Sequence, residues 1–199
     1  MIGKTGFVRL LLVVPLLAAG IALGAPTPAA AAYVCDQTIS PNTIPGGTIK
    51  DSVVVPSGER CFMSLITVRG NVTVESGGEL YATTGEVRGS ISATGAFAVT
   101  VAGMVVRGSV TAVNTIEWVD VTDSEIRGDV VVDGANVESL YRASTIRGSL
   151  RLNAVALAYV SKNVIEVDLV CTNMGSVTNL YDEPNSVGGV RSGDCAMLE

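Results

Sequence analysis

Aliphatic residues recur along the chain in short alternating runs that are about 20 residues apart. Each run places two small or aliphatic side chains two positions apart, as expected for a β-strand with one face turned inward. The first members are Val53, Val72, Ile91, Val110, Val130, Leu150 and Leu169, and the second members are Val55, Val74, Ala93, Ala112, Val132, Leu152 and Cys171. The pattern predicts seven buried strands, one in each repeat.

A triplet of an aliphatic residue, an arginine and a glycine precedes five of these runs, at intervals that lengthen by one residue after the third triplet. The triplets are Val68-Arg69-Gly70, Val87-Arg88-Gly89, Val106-Arg107-Gly108, Ile126-Arg127-Gly128 and Ile146-Arg147-Gly148. Weaker copies, Ile49-Lys50-Asp51 and Ile165-Glu166-Val167, bring the repeats to seven. A nearly fixed period of this length is typical of a solenoid, in which each repeat buries its apolar side by stacking on its neighbours.

Glycine and asparagine mark two corners in each repeat. We predict that the chain turns with a positive φ, which glycine adopts most easily, at the corner glycines Gly70, Gly89, Gly108, Gly128 and Gly148. A second corner is predicted at Gly95, Asn114, Gly134 and Asn173, because glycine and asparagine both enter the left-handed region readily. The third side, through Leu80, residues 99–101 and 119–121, Leu140 and residues 159–160, drifts in register. We expect it to absorb the extra residue of the two longer repeats.

Three short strands per turn define a parallel β-helix. Left-handed β-helices use shorter turns than these, so the repeat length favours the right-handed form. We therefore predict an all-β fold, a right-handed parallel β-helix (β-solenoid) of about seven 19–20-residue turns. It should be capped at each end, because an open end exposes unpaired strand edges.

The chain divides into four segments. Residues 1–32 combine a basic start, a nearly continuous apolar run from Leu10 to Leu23 and a final Ala-Ala-Ala, as in a secretory signal peptide. A retained membrane anchor is the weaker alternative, since a spanning helix needs about 20 apolar residues and this run is shorter. Residues 33–48, rich in proline and glycine, are predicted to form an N-terminal cap, residues 49–170 the repeats, and residues 171–199 a disulfide-closed C-terminal cap. We expect a secreted protein that has no membrane association after cleavage.

Charge and composition remove several classes of function. Without the signal peptide, 11 basic and 19 acidic residues leave a net charge of −8, which disfavours nucleic acid and anionic membranes as partners. The chain has no histidine, which excludes a Ser-His-Asp triad, a Cys-His dyad and His-ligated zinc. No cofactor is indicated.

The chain has four cysteines, Cys35, Cys61, Cys171 and Cys195. Because the chain is predicted to be exported to an oxidising environment, disulfides are the natural interpretation. Three pairings are formally possible. Because two cysteines lie at each end of the repeats, the pairs Cys35–Cys61 and Cys171–Cys195 fit a solenoid best. Each would contribute about 3–4 kcal/mol by closing its loop. A metal or redox site would need closer spacing.

The recurring Val-Arg-Gly-Asn/Ser/Asp-Val/Ile pattern resembles the turns of bactofilins, which are polymer-forming right-handed β-helices, across residues 49–170. The mature chain also resembles small, uncharacterised secreted β-helix proteins of actinobacteria. The matching residues are Cys171, Asn185-Ser186-Val187-Gly188-Gly189 and Gly193-Asp194-Cys195-Ala196. The second resemblance implies a fold and an extracellular location, and no activity.

The triplets form a candidate anion-binding ladder of Arg69, Arg88, Arg107, Arg127 and Arg147, one arginine per turn. Such a ladder would attract a polyanionic wall polymer or uronate chain. We favour the alternative that Glu86, Glu125 and Asp129 neutralise it, because the whole chain is acidic. Seven acids between Glu117 and Glu138 could bind calcium, but they lack the spacing of known calcium loops, so we expect a solvated surface and no metal.

Two further surface features are weaker candidates. Thr73, Ser92 and Thr111 share one outward register, as on an ice-binding face, but ordinary β-propensity explains them. Trp118, the only tryptophan, is close to Glu117 and Asp120 and could stack on a sugar ring, although a half-buried wall residue is the default interpretation.

These observations favour a non-enzymatic structural or binding module, monomeric, at the cell surface or in the medium, with a wall polymer or other glycan as its partner. The first alternative is a small polysaccharide lyase or hydrolase that uses carboxylates. Turns this short leave little room for the loops that form a cleft in such enzymes. The second alternative is end-to-end polymerisation as in bactofilins, against which disulfide-closed ends argue.

Overall fold

A computed structural model describes residues 32–198 of the chain; apart from Ala32, the predicted signal peptide lies outside them. Within these residues all 20 strands belong to one parallel sheet, wound into about eight turns roughly 19 residues apart. The all-β solenoid predicted from the repeat is confirmed, with one more turn than expected. Its strands form three faces.

The first face contains β1 (Tyr33–Val34), β4 (Val53–Val55), β6 (Val72–Val74), β8 (Ile91–Thr94), β10 (Val110–Thr115), β17 (Leu169–Thr172), β20 (Arg191–Gly193) and the first parts of β13 (Val130–Arg142) and β15 (Leu150–Ser161). The second face contains β2 (Thr38–Ile39), β11 (Val119–Thr122), β18 (Ser176–Thr178), the first parts of β5 (Arg60–Val68), β7 (Glu79–Val87) and β9 (Ala98–Val106), and the last parts of β13 and β15. The third face contains β3 (Thr48–Ile49), β12 (Glu125–Ile126), β14 (Thr145–Ile146), β16 (Val164–Ile165), β19 (Ser186–Val187) and the last parts of β5, β7 and β9. A short 3₁₀ segment, Pro45–Gly47, precedes β3.

The core is a set of aliphatic ladders along the rod. All fourteen side chains predicted to face inward on the first face are at most 2% exposed. Burial of each valine, isoleucine or leucine side chain contributes about 1.5–3 kcal/mol to stability. The alternation that predicted these strands is therefore confirmed.

The corner glycines are needed for a reason other than the predicted one. None of the five has a positive φ, so that part of the prediction is wrong. Each one instead lies against the turn before it. A Cβ on Gly108 would lie 2.8 Å from the carbonyl oxygen of Gly89, and still closer to the hydroxyl of Ser90.

A ladder of small polar side chains explains this crowding. The residue after each corner accepts a hydrogen bond from the backbone amide one turn later; Ser90 Oγ, for example, accepts from the Ser109 amide at 3.1 Å. This corner polar ladder consists of Ser52, Asn71, Ser90, Ser109, Asp129, Ser149 and Asp168. For six of the seven, a glycine in the next turn leaves space for the side chain; Val167 takes that place beside Ser149.

The second corner is confirmed. Gly95, Asn114, Gly134 and Asn173 have φ values of 62°, 54°, 78° and 53°, and Ala154, in the turn between Gly134 and Asn173, takes the same left-handed conformation. A third corner, between the second and third faces, has no glycine or asparagine pattern. Its residues are nevertheless left-handed in six successive turns: Leu65, Thr84, Gly103, Asp123, Ala143 and Lys162.

Buried polar residues line the inside of this third corner towards the C-terminal end. Ser124, Ser144, Asn163 and Asn185 form an internal polar ladder in which each side chain accepts from a backbone amide of the preceding turn. The Asn163 amide group also donates to the Tyr141 carbonyl at 2.7 Å. These bonds satisfy backbone groups that aliphatic side chains could not.

The repeat extends into both predicted caps. Residues 33–48 contain β1, β2 and the first residue of β3, and residues 171–199 contain the end of β17 and all of β18, β19 and β20. Cys35–Cys61 and Cys171–Cys195 are paired, with Cα atoms 5.5 Å and 5.2 Å apart. Beyond β20, the buried Leu198 covers the C-terminal end of the core.

Candidate functional site

The arginine ladder lies on the exposed surface, and two glutamates form ion pairs with four of its five arginines. Glu86 lies 2.5 Å from Arg107 and 3.4 Å from Arg88. Glu125 lies 2.8 Å from Arg147 and 3.2 Å from Arg127, and the hydrogen bond from Arg147 lowers the pKa of Glu125. The ladder is therefore a lattice of ion pairs, as the sequence interpretation favoured for these two acids.

Asp129 does not take part in that lattice, in contrast to the expectation. Its Oδ1 accepts from the Ser149 amide at 2.7 Å, as a member of the corner polar ladder. Arg69, at the N-terminal end of the arginine ladder, forms no ion pair with any residue of the described part of the chain.

The acids between Glu117 and Glu138 are distributed over all three faces. Asp133 binds the Asn153 side chain on the first face, Asp123 occupies the third corner, and Glu125 belongs to the arginine lattice. Across residues 32–198, no group of three or more potential ligands is placed to hold a metal ion. Thr73, Ser92 and Thr111 do share one outward register on the first face, between Val54 and Val131.

The most distinctive surface feature is a groove on the second face, which we call the Trp118 groove. It has a volume of about 210 Å³ and is lined by Trp118, Asp120, Val137, Glu138 and Leu140. Val137 and Glu138 are exposed, and the other three side chains are half-buried. A wider groove of about 460 Å³ lies beside Tyr33 and Lys50, but the first turn alone shapes it.

The two longer steps of the repeat create the Trp118 groove. Val110 pairs with Ile91, and Val119 pairs with Val99. Val119 lies nine positions after Val110, whereas Val99 lies only eight positions after Ile91. One extra residue therefore enters just before β11. It leaves at an irregularity in β13 between Ala135 and Glu138. Both segments lie at the start of the second face, and they form the two sides of the groove. This face is the third side of the sequence prediction, where the extra residue was expected.

The same shift turns Leu140 outward. Ser139 and Tyr141 are fully buried at this level, so Glu138 and Leu140 face solvent beside Trp118. The sequence pattern gave no warning of this, because Leu140 resembles the buried aliphatic residues of neighbouring turns. The unequal steps of the repeat were the available signal, but they do not show where the extra residue lies.

The groove combines an aromatic ring with two carboxyl groups. The Trp118 Nε1–H donates to Thr100 Oγ1 at 3.2 Å, which orients the indole on the wall. Asp120 Oδ1 accepts from the Leu140 amide at 2.9 Å. Burial raises the pKa of Asp120 to about 6; the Leu140 hydrogen bond opposes that rise and the Glu138 carboxylate adds to it. Near neutral pH the groove therefore offers both hydrogen-bond acceptors and a readily protonated acid.

Further aromatic residues continue along the same wall. Phe62, Tyr81, Thr100, Asp120, Leu140 and Tyr159 occupy one outward column of the second face. Phe62 and Tyr81 stack with ring centroids 4.9 Å apart. We call Phe62, Tyr81, Trp118 and Tyr159 the aromatic face. Of these four, the sequence had indicated only Trp118.

No protein-family model, curated protein or solved structure matches this chain. Any assignment of function therefore depends on the fold and on the chemistry of these surfaces.

Proposed function

We propose that the protein is an exported, non-enzymatic β-solenoid that binds a glycan through the Trp118 groove, in the medium or at the cell surface. The observation that carries this proposal is the juxtaposition of a half-buried indole with Asp120 and Glu138 in an open groove. An indole face packs on the C–H groups of a sugar, and carboxylates accept hydrogen bonds from sugar hydroxyls. Because Glu86 and Glu125 already form ion pairs with four arginines of the ladder, the ladder is not the proposed glycan site.

Export is supported by the two disulfides, which form and persist in oxidising compartments. Among residues 32–198, no helix is long and apolar enough to cross a membrane. Fractionation of the producing cells should place the protein outside the membrane, with Tyr33 as its N-terminal residue. A chain that keeps residues 1–32 in the membrane fraction would contradict the proposal. Light scattering of the secreted protein should give a monomer.

The single tryptophan of the chain provides a direct test of binding, because it lies in the groove itself. Titration of the mature protein, residues 33–199, with soluble oligosaccharides should shift or quench its fluorescence. Calorimetry should show that Trp118→Ala loses most of the affinity, whereas Trp118→Phe, which keeps a ring, retains a measurable part. Equal affinity in wild type and Trp118→Ala would contradict the proposal.

Hydrolysis of a glycosidic bond is the second candidate function, favoured by one observation. Asp120 has a pKa raised to about 6, and Glu138 lies beside it; a general acid with a raised pKa and a second carboxylate are the groups that such hydrolysis uses. Incubation with polysaccharide would then produce new reducing ends, and Asp120→Asn would abolish them. Under the binding proposal no products form and Asp120→Asn still binds.

A further inference from the structure

We infer that the glycan bound in the Trp118 groove carries free amino groups, and that a protonated amine of an amino sugar lies between the indole ring and the carboxylates of Asp120 and Glu138. This inference rests on the function proposed above and names the class of ligand. Its basis is the uncompensated negative charge of the groove and the position of the indole beside that charge.

Two neighbouring segments bring the ring and the two acids together. Trp118 and Asp120 lie on either side of a fully buried valine, so both side chains leave the wall on its outer surface. On the other segment, the Val137 amide donates to the Glu117 carbonyl at 3.2 Å, which holds the two segments side by side. Glu138 follows directly, and its side chain lines the same groove as the indole and Asp120.

The two carboxylates of the groove have no cationic partner of their own. They form no ion pair within residues 32–198. Towards one end of the second face, Arg60 is already paired with Glu79 at 2.6 Å. Towards the other end, Arg142 is already paired with Glu183 at 2.9 Å. A cationic ligand would therefore meet negative charge that the surrounding wall does not compensate.

The two carboxylates also act on each other. The pKa of Asp120 is raised to about 6, mainly by burial and in part by the nearby Glu138 carboxylate. A cation bound between two such groups favours the ionised form of both. A sugar hydroxyl offers them a hydrogen bond without an opposite charge, so the groove should prefer an ammonium group to a hydroxyl.

The indole provides a second attraction for the same cation. The face of a tryptophan ring attracts an ammonium group, more strongly where the site is partly shielded from water. Trp118 is half-buried, and its Nε1–H is already bonded to Thr100 Oγ1 at 3.2 Å, so the indole offers a ligand its ring and no free donor. The C–H groups of the sugar can pack on the same ring. The combination of ring and carboxylates therefore selects an amine-bearing sugar over a neutral one.

The experiment is a calorimetric titration of the mature protein, residues 33–199, with oligomers of glucosamine and with N-acetylglucosamine oligomers of the same length and linkage. Low ionic strength limits screening, and at neutral pH most of Asp120 is ionised, since its pKa is about 6. N-acetylation removes the positive charge and keeps the sugar ring. We expect the free-amine oligomer to bind about 10-fold more tightly than its acetylated counterpart.

Substitutions of the acids separate the charge of the amine from the bulk of the acetyl group. Glu138→Gln and Asp120→Asn keep the shape of the groove, so each should remove most of the preference and leave binding of the acetylated oligomer within about 2-fold of wild type. Asp123→Asn is the matched control, because it makes the same charge change at an exposed, left-handed position of the third corner. It should leave the preference unchanged.

The outcomes distinguish this inference from the proposed function. Equal affinity for both oligomers, each changing Trp118 fluorescence, would overturn recognition of the amine while the proposed function stands. A preference for free amines that survives both Glu138→Gln and Asp120→Asn would overturn the role of the carboxylates. If neither oligomer binds, the amino-sugar assignment is wrong, and the proposed function falls as well if neutral oligosaccharides also leave Trp118 fluorescence unchanged. Binding of spermidine, a polyamine without a sugar ring, as tightly as the glucosamine oligomer would overturn the assignment of a sugar.

Discussion

Substitution of Gly108 by alanine tests why glycine occupies the first corner. The new methyl group would lie 2.8 Å from the Gly89 carbonyl oxygen and closer still to Ser90 Oγ. The φ of Gly108 is not positive, so any backbone preference for glycine contributes little. The cost of Gly108→Ala should therefore be almost entirely steric.

The structure allows an estimate of that cost. Either the two turns separate, or Ser90 rotates away from the Ser109 amide and their 3.1 Å hydrogen bond is lost. Overpacking of this kind costs about 1–3 kcal/mol, and the lost hydrogen bond about 1 kcal/mol. The two costs do not add fully, because a turn that separates can keep the hydrogen bond. We therefore expect the free energy of unfolding to fall by about 2–3 kcal/mol. Val167 occupies the same register in a later turn, and there the Ser149–Asp168 hydrogen bond is the longest of the ladder, at 3.4 Å.

Urea unfolding of the mature protein measures the effect. Gly103→Ala is the matched control. Gly103 has a left-handed φ of 62°, and a Cβ placed on it would lie 3.5 Å from its nearest atom, the hydroxyl oxygen of Thr84. Ala143 occupies the equivalent position in a later turn. It should cost about 1 kcal/mol. Ser90→Ala removes the closest atom, so the double variant with Gly108→Ala should be more stable than additivity predicts by at least about 0.5 kcal/mol. A Gly108→Ala variant as stable as Gly103→Ala, or strict additivity with Ser90→Ala, would refute the steric explanation.

Three further perturbations test other parts of the structure. In the folded chain the pKa of Asp120 is about 6, above its ordinary 3.8. Between these pH values the folded chain binds more protons than the unfolded chain, so the contribution of Asp120 to stability falls as pH rises through them. In urea unfolding curves measured across this pH range, Asp120→Asn should make the free energy of unfolding depend less on pH, and an unchanged dependence would show that Asp120 is not buried as described. Replacing both Cys171 and Cys195 by serine should lower the free energy of unfolding by about 3–4 kcal/mol relative to the oxidised wild type; an unchanged free energy of unfolding would mean that this disulfide does not stabilise the fold. Glu86→Gln combined with Glu125→Gln should expose the arginine ladder and delay elution from a polyanion column, with little change in melting temperature; unchanged elution would mean that these glutamates do not neutralise it.

The regular part of the fold was predictable because one physical constraint repeats in every turn. The inward positions of the first face hold small or aliphatic side chains in every repeat, so Val53, Val110 and Leu169 carry the same signal. The second corner was readable for a similar reason, since its left-handed φ selects glycine or asparagine at Gly95 and Asn114. The right-handed sense of the helix stays a prediction from the repeat length.

At other positions either two different structural reasons select the same residue type, or the structure requires no particular residue type. The first-corner glycines were correctly located but misinterpreted, because close stacking and a positive φ both select glycine. The third corner is left-handed with Leu65, Thr84 and Lys162, whose types give no hint of it. The Trp118 groove depends on where a single extra residue lies, and Leu140 looks the same from the sequence whether it faces in or out.

The third corner has a consequence for how this rod can vary. In six successive turns its residues lie outside the core, and leucine, threonine, aspartate, alanine and lysine already share the same backbone conformation there. The edge is thus a line of outward positions about 5 Å apart, at which several side-chain types adopt one backbone conformation. An evolving or engineered copy could rewrite that line one side chain at a time, while the ladders inside continue to hold the turns in register.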